Sequence, residues 1–337
     1  MLRTKPDISI VVCCHNQGFI HKFVKSVHQS VGANYEIIVV SSDDLLCDVG
    51  IPGCTVINGP AMPAAKRNMG ARIARGKYLA FFDDDVEIEP LCLATFKNCM
   101  DMTKAGMLFG KLHKGDEPTR FDEAGGYLTP TGFIWSRAQQ NLVDEGQYDE
   151  IEPIFAGKSA SCIIETRLFN KIGGFDEDFE ILAEETDVAW RVWLSGREVL
   201  FCPQAVGIHW FNCKRKDTKV YYTSKRVHRN GCRNYCVLLI KNLETHNLCR
   251  ILPIHVSIWL ITSFIMIGTG KFGEGVNILK GLWYVIRNLG YILRKRRKVQ
   301  SQRVKSDEQL RACIQRTPKL SYYTERLSRY LRTSLHG

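Results

Sequence analysis

The residues that most constrain the fold are Tyr78 to Phe82, an apolar run that ends in three consecutive carboxylates, Asp83, Asp84 and Asp85. A short apolar run bounded by polar residues is typical of a strand buried on both faces of a mostly parallel sheet. In open α/β sheets the ligand crevice lies beyond the carboxyl ends of such strands. Adjacent carboxylates repel one another and are tolerated where water or a cation neutralises them. The run therefore predicts either a solvated acidic loop or a site for a hard cation such as Mg²⁺ or Mn²⁺.

Strands and helices alternate through the first ninety residues. Apolar runs predict strands at 8–14, 36–40 and 54–57. Apolar residues at helical spacing predict a helix over 19–31, and an Ala-rich segment predicts a second helix over 63–75 that Gly76 ends. This alternation predicts an α/β fold with a mostly parallel central sheet.

The pattern is looser after Pro90. Residues 110–155 are rich in Gly, Asp, Glu and Thr, and we expect extended loops and short antiparallel strands there. Regular elements return as predicted strands at 158–164 and 199–202, on either side of a predicted helix over 184–193.

Charge divides the chain into two parts. Residues 1–210 contain 20 Lys+Arg and 29 Asp+Glu, a net charge of −9, whereas residues 211–337 contain 26 and 6, a net charge of +20. A strongly basic segment favours anionic partners, either lipid headgroups or nucleic acid. We therefore expect one domain over 1–213, with halves at about 1–90 and 91–213, and a separate basic, helical region over 214–337.

The thirteen cysteines show neither metal-site nor disulfide spacing. The count is odd, no CxxC pair occurs, and Cys232 and Cys236 lack the second pair that a zinc site needs. We expect reduced core thiols of a cytosolic protein. The early apolar run at 8–14 is too short for a secretory signal, so no signal peptide is expected.

The basic region contains two apolar segments. Residues 251–270 carry no formal charge if His255 is neutral, and about twenty apolar residues suffice to span a bilayer. Residues 276–293 are amphipathic, and the basic cluster 294–298 follows them. A single span would separate that cluster from Arg250, against the positive-inside tendency. We expect two interfacial helices or a re-entrant hairpin on the cytoplasmic face of the cell membrane, with a buried helical hairpin as the alternative.

Four sequence blocks resemble, in order, the inverting family 2 glycosyltransferases, whose catalytic domain has the GT-A fold. The first three are the first strand with His15-Asn16, the Lys66-Arg67-Asn68 helix, and Asp83-Asp84-Asp85. The fourth is GGFDEDF followed by EETDVAWR and the His209-Trp210 strand end. The resemblance covers roughly residues 7–212, and the tail is similar to rhamnosyltransferase-like members that act on cell-envelope glycans.

The resemblance implies a set of donor-binding and metal-binding residues. Asp85 would hold Mn²⁺ or Mg²⁺, Asp83 would contact the ribose or the ion, and His209 would lie near the metal or the diphosphate. Alternatively, His209 has a structural role, and Arg67 is a solvent-exposed charged residue on its helix. The remaining donor-side positions of the family correspond here to His15, Asn16, Arg67, Asn68 and Asp84.

The nucleotide end of the donor site departs from the family pattern. The family has Asp directly after the second strand, whereas this chain has Ser41-Ser42-Asp43-Asp44. Either the register slips so that Asp43 takes that place, or hydroxyls including that of Ser41 hold the base. The sequence does not identify the nucleotide.

The resemblance also implies a general base in the segment Glu184-Glu185-Thr186-Asp187. Inversion requires a base on the acceptor face, opposite the leaving group. Glu185 takes the position of the family's usual Asp, so it is our first candidate, with Glu184 and Asp187 as alternatives. Asp187 would also pair with Arg191 at a spacing of four.

These features predict a metal-dependent inverting glycosyltransferase with a nucleotide-sugar donor, a lipid-linked or polysaccharide acceptor and an anionic membrane surface as partners. A nucleotidyltransferase would carry a Gly-rich phosphate loop after the first strand, and residues 15–18 do not form one. A nucleic-acid-binding role would leave the apolar segment without a purpose, and the tail has no recognisable nucleic-acid module. We therefore expect no nucleic-acid partner.

Overall fold

A mixed ten-stranded sheet lies in the part of the chain before residue 211. The structure is a computed structural model that describes residues 5–14, 17–138, 142–210 and 224–332. The strands within these residues are Ile8–Cys14 (β1), Tyr35–Ser41 (β2), Cys54–Asn58 (β3), Tyr78–Asp83 (β4), Val86–Ile88 (β5), Met107–Lys114 (β6), Phe121–Glu123 (β7), Gly126–Leu128 (β8), Ile134–Ser136 (β9), Glu152–Pro153 (β10), Ser161–Glu165 (β11) and Val199–His209 (β12).

The helices of the same residues are Gln17–His28 (α1), Asp44–Val49 (α2), Pro63–Ile73 (α3), Cys92–Thr103 (α4), Thr166–Ile172 (α5), Glu184–Leu194 (α6), Ser224–Asn242 (α7), Thr245–Gly268 (α8), Phe272–Arg287 (α9), Leu289–Ser301 (α10), Asp307–Ile314 (α11) and Ser321–Arg332 (α12).

The sheet order is β10-β12-β6-β11-β4-β1-β2-β3, with β5 paired to β12 and β7 to β6. β1, β2, β3 and β4 run parallel, and β11 is antiparallel to both of its neighbours, β4 and β6. The register sets Cys13 opposite Asp83 and Cys14 opposite Ser41. The carboxyl ends of β1, β2 and β4 therefore meet at one edge of the sheet, as the sequence predicts for a parallel α/β fold.

Two local expectations differ from the structure. The helix α3 ends at Ile73 with an extended Ala74, so Gly76 does not end it. A Cβ at Gly76 would lie 2.5 Å from the backbone nitrogen of Ser9, so glycine is needed there for a close approach of two chain segments. The strand expected at 199–202 is longer in the structure, where β12 continues to His209 with an irregular register between Cys202 and Val206.

The twelve cysteines that the structure describes are all free thiols, and most of them are buried. This agrees with the expectation of reduced core thiols. Burial raises the pKa of the Cys13 thiol to about 12, which keeps it protonated and unreactive at neutral pH.

The C-terminal helices pack on the catalytic region on one side and expose apolar residues on the other. On α8, Trp259, Ser263 and Met266 are buried, and His255 Nδ1 lies 2.9 Å from the carbonyl oxygen of Thr131. Large exposed apolar side chains on α8, α9 and α10 are Ile254, Ile261, Phe264, Phe272, Trp283, Ile286, Leu289, Tyr291 and Leu293. In the part of the chain that the structure describes, α8 is the one helix whose length and mean hydropathy of 2.0 would suffice to cross a bilayer.

Candidate active site

Two carboxylates and an imidazole meet at the end of β4. Asp83 is the last residue of β4, Asp85 lies in the turn into β5, and His209 ends β12, which pairs with β5. One ligand atom from each of these residues lies within 4.8 Å of the other two. Two oxygen donors with one imidazole suit a divalent cation such as Mn²⁺ or Mg²⁺, so the residues fit the metal that the resemblance implies.

Asp122 orients the imidazole of His209. Its Oδ2 lies 2.7 Å from His209 Nδ1, while His209 Nε2 lies 3.3 Å from Asp85 Oδ1. Burial opposes a charge on this imidazole, but the hydrogen bonds to Asp122 and Asp85 outweigh it and raise the pKa of His209 to about 9. Histidine metal ligands commonly hold their second ring nitrogen against a carboxylate in this way. Asp122 lies on β7, 87 positions before His209, so no local sequence spacing connects the two residues and Asp122 was not among the predicted site residues.

Arg67 connects the acidic strand end to the first turn of α6. Its Nη2 donates to Asp83 Oδ1 at 2.8 Å and its Nη1 to Glu184 Oε1 at 3.2 Å. Burial disfavours the charged guanidinium, but the surrounding anionic groups, Asp83 and Glu184 among them, raise its pKa, so it remains charged. Arg67 Nε and Glu184 Oε2 are buried and find no hydrogen-bond partner among the described residues. Unused buried polar groups beside a metal-ligand cluster are typical of a site that binds a further polar ligand.

Lys66, the neighbour of Arg67, is fully buried and donates from Nζ to the carbonyl oxygen of Cys14 at 2.6 Å. It fixes the carboxyl end of β1 against α3. The sequence identified Lys66 as part of a motif without this role. The sequence feature that could have indicated this role is the position of Lys66 next to Arg67, on a helix that covers the edge of the sheet.

Asn68 faces the loop after α5 rather than Asp83. Its Nδ2 donates to the carbonyl oxygen of Phe175 and to Glu177 Oε1, both at 2.9 Å, and its Oδ1 accepts from Phe175 N at 2.9 Å. Its amide therefore ties α3 to the GGFDEDF loop.

Ser41 and Asp43 lie at the carboxyl end of β2. Ser41 is buried, and its Oγ accepts from the backbone nitrogen of Asp43 at 3.0 Å. Asp43 Oδ1 in turn accepts from Leu46 N at the start of α2. Both residues thus lie at the sheet edge that carries Asp83, and Asp84 is buried in the adjacent turn. His15 and Asn16 lie outside the described residues.

The three candidate bases have different surroundings. Asp187 is fully buried, with its carboxylate 2.8 Å from Arg191 Nη2 and 2.9 Å from Lys241 Nζ. Glu184 is buried against Arg67, whereas Glu185 keeps partial contact with solvent although protein surrounds it on most sides. Burial, and next the charge of Glu184, raise the pKa of Glu185 well above its usual 4.5.

The backbone before Glu184 is strained. Leu182 and Ala183 have φ values of +72° and +70°, which L-residues other than glycine rarely adopt. Such a conformation costs about 1–2 kcal/mol per residue. The surrounding contacts must therefore hold the two residues that lead into the carboxylates of α6.

Comparison with known proteins agrees with this architecture. The model of the family described as Glycosyl transferase family 2 matches residues 9–158. No curated protein matches the sequence significantly. A solved structure of GalNAc-T7 with UDP, GalNAc and Mn²⁺ superposes with a TM-score of 0.60 at 14% identity, over 97% of this chain and 58% of that one. A structure of residues 1–349 of S. aureus TarS superposes over 74% of this chain and 70% of that one, with a TM-score of 0.49 at 16% identity.

The GalNAc-T7 match, at this identity, establishes a shared fold, and the family match covers β1 through the segment before β11. The chain therefore has the GT-A fold, and its residues 9–158 are similar to the glycosyl transferase family 2 model.

Proposed function

We propose that the protein is a metal-dependent inverting glycosyltransferase that moves a sugar from a nucleoside-diphosphate donor to a lipid-linked or polysaccharide acceptor. The observation that carries this proposal is the cluster of Asp83, Asp85 and His209, joined through Arg67 to the carboxylates of α6. A divalent cation held there would neutralise the charge that develops on the departing diphosphate.

The chain's own residues supply the remaining chemistry. Asp85 and His209 would hold the ion, Asp83 would share it or contact the ribose, and Asp122 keeps Nε2 of His209 directed at the cluster. Arg67 keeps a charged guanidinium beside the phosphate side of the donor. Ser41 or Asp43 at the end of β2 contacts the nucleoside.

Glu185 is the proposed general base. It accepts the proton of the acceptor hydroxyl, whose oxygen attacks the anomeric carbon from the face opposite the departing nucleoside diphosphate. Its partial exposure favours it over Glu184 and Asp187, which are buried. The ion pairs of Asp187 with Arg191 and Lys241 favour a structural role for that residue, and Glu184 serves to hold Arg67.

The C-terminal helices support a proposal for the acceptor and the location. We propose that the exposed apolar residues of α8, α9 and α10 lie in the cytoplasmic interface of the cell membrane, where a lipid-linked acceptor would be presented. The packing of α8 against Thr131 and Phe133 supports an interfacial helix rather than a spanning one, because a span would have to leave these contacts. A hexose or a deoxyhexose such as rhamnose is the proposed sugar.

The test is a donor screen with UDP-, GDP- and dTDP-sugars, read as nucleotide release in Mn²⁺, in Mg²⁺ and in EDTA. UDP-sugars with Mn²⁺ come first, since the GalNAc-T7 structure contains UDP and Mn²⁺. We expect turnover with one nucleotide class and none in EDTA. Full activity in EDTA would contradict the metal-dependent mechanism.

The anomeric configuration of the product provides a second test. Inversion requires that the product bond has the configuration opposite to that of the donor, which NMR of the purified product reads directly. Retention would contradict the role proposed for Glu185.

A further inference from the structure

The loop that leads into the proposed base is held by α7, a helix of the C-terminal region. Residues 176–183 connect the GGF turn to α6, and they end in the left-handed residues Leu182 and Ala183. Ala183 is the N-cap of α6, and its side chain makes no capping hydrogen bond. The direction of Glu184 and Glu185 therefore depends on the backbone of this loop.

Asn234 of α7 binds the strained end of the loop. Its Nδ2 donates to the carbonyl oxygen of Ile181 at 2.8 Å and to that of Leu182 at 2.7 Å, and its side chain is almost fully buried. Its Oδ1 accepts from Arg233 Nε at 2.8 Å, which fixes the orientation of the amide. The Asn234 amide thus binds the carbonyl group before Leu182 and the carbonyl group between Leu182 and Ala183.

Arg233, the preceding residue of α7, binds the middle of the same loop. Its Nη2 donates to the carbonyl oxygen of Asp178 at 3.0 Å and its Nη1 to Glu180 Oε1 at 3.2 Å. Two consecutive residues of α7 therefore contact four positions of the loop between 178 and 182.

The helix α7 is itself a firm support. A Cβ at Gly281 of α9 would lie 2.6 Å from the carbonyl oxygen of Arg229 and 3.3 Å from the backbone nitrogen of Arg233. The backbones of α7 and α9 thus approach each other closely, and the guanidinium of Arg233 lies 5.1 Å from the ring centroid of Tyr284 on α9. The contacts to the loop come from a helix that is packed on both sides.

We propose that Asn234 is a positioning residue for the transfer reaction, which holds Leu182 and Ala183 in the left-handed conformation and so aims Glu185 at the acceptor. The inference rests on the proposed function, because it takes Glu185 as the base. Asn234 touches the loop backbone rather than substrate, and its effect on catalysis passes through the position of that carboxylate.

The first test is Asn234→Ala. We expect kcat to fall about 100-fold, the scale of a small misplacement of a catalytic group, while the Kd for the nucleoside diphosphate that the wild type releases changes less than about twofold. Hydrogen exchange should rise in peptides covering 178–188 and stay unchanged around the metal-ligand turn at 83–86. Unchanged exchange at 178–188 would overturn the proposal whatever the activity.

The second test is a rescue. Glycine adopts positive φ without a Cβ clash, so Ala183→Gly in the Asn234→Ala background should restore kcat about tenfold. Ser263→Ala is the control, because it removes a buried hydrogen bond to the carbonyl oxygen of Gly275 at 2.8 Å, between α8 and α9. It should lower Tm and leave kcat at the wild-type value.

The outcomes separate this inference from the proposed function. If the wild type is active and Asn234→Ala has a normal kcat, the positioning role alone is overturned. The same holds if Ser263→Ala lowers kcat as much as Asn234→Ala does. No turnover of the wild type with any of the sugar nucleotides would overturn the proposed function and the catalytic role of Asn234 together.

Discussion

Arg67 is the residue that joins the two halves of the proposed chemistry. It contacts Asp83 at the metal-ligand cluster and Glu184 beside the proposed base, and it is buried between them. A buried guanidinium that binds one carboxylate on each side limits how far apart the two carboxylates can lie. The distance between the donor side and the acceptor side is therefore set by one side chain.

Replacement of the base should remove turnover without removing donor binding. We expect Glu185→Gln to lower kcat by about 10²- to 10⁴-fold, the usual contribution of a general base, with an unchanged Kd for the nucleoside diphosphate. Steady-state kinetics and calorimetry measure the two quantities. If Glu185→Gln is active and Glu184→Gln or Asp187→Asn is inactive, the base is one of the neighbours.

The pH dependence should report the interaction between the two glutamates. The base works when deprotonated, so kcat should rise with pH through the raised pKa of Glu185, well above 4.5. Glu184→Gln removes a negative charge that raises this pKa, so the acid limb should move to lower pH even if kcat is smaller. Exposed Glu117 provides a control: Glu117→Gln should leave the limb in place. An unmoved limb in Glu184→Gln would contradict the assignment.

Asp122 should matter for metal affinity rather than for folding alone. Asp122→Asn removes the charged partner of His209 Nδ1, and we expect the Mn²⁺ affinity to fall about 10- to 100-fold. Mn²⁺ titrations followed by electron paramagnetic resonance measure this without activity. Asp144→Asn is a matched control, because Asp144 Oδ2 lies 2.8 Å from His113 Nε2 in an aspartate–histidine pair outside the cluster. Equal losses in both variants would exclude a specific role for Asp122.

At the scale of elements, short connections bring the site together. β4 ends at Asp83, and three residues later β5 pairs with the end of β12, so the turn that carries Asp85 lies against His209. The irregular register in β12 lets the same strand pair with β6 before and after the bulge. The same strand thus pairs within the central sheet and carries His209 to the candidate metal site.

Glycine at the junction between α3 and β4 is required by packing. Gly76→Ala would push a methyl group against Ser9 N, and we expect a loss of about 1–3 kcal/mol in the free energy of unfolding. Gly290→Ala is the control, since a Cβ on this residue of α10 meets nothing within 4 Å. There we expect no loss and a gain of up to about 1 kcal/mol from helix propensity. Denaturant unfolding measures both, and equal losses would contradict the close-packing explanation.

At the scale of the whole molecule, the residues of the basic cluster 294–298 fall into two groups, those that bind the protein itself and those that are exposed. Lys295 pairs with Asp176 and, at 2.6 Å, with Asp178, and Arg296 Nη1 donates to the carbonyl oxygens of Ile240 and Leu243. These two residues hold α10 to the loop 176–183 and to α7. Arg294, Arg297 and Lys298 are exposed and are therefore the members that remain for an anionic surface.

Substitutions should distinguish the exposed residues of the cluster from those that bind the protein itself. Replacing Arg294, Arg297 and Lys298 by Gln should weaken binding to phosphatidylcholine–phosphatidylserine vesicles roughly 100-fold at low salt, since each basic residue contributes about 1 kcal/mol. Tm should stay unchanged. Lys295→Gln with Arg296→Gln should instead lower Tm, because buried acceptors lose their donors. Vesicle sedimentation and thermal unfolding measure these effects. Retention of the triple variant through high salt and alkaline washing would show that apolar insertion dominates.

The sequence by itself determined which segments form the first parallel strands of the sheet and the location of Asp83, Asp85 and His209 at element ends. Those features follow from local patterns: apolar runs define strands, and polar residues directly after parallel strands must meet at one edge. The resemblance added the family, and the apolar and basic segments of the tail indicated its helices.

Only the tertiary structure decided which groups those residues meet. Asp122 reaches His209 across 87 positions of sequence, Arg67 reaches Glu184 across 117, and α7 holds the loop before Glu185 across more than 50. Nothing in the local periodicity of either partner encodes such a contact, because periodicity reports which face of an element is buried and not what lies opposite. The same holds for the cluster 294–298, where packing alone distinguishes the cations bound to the protein from those free to meet a membrane.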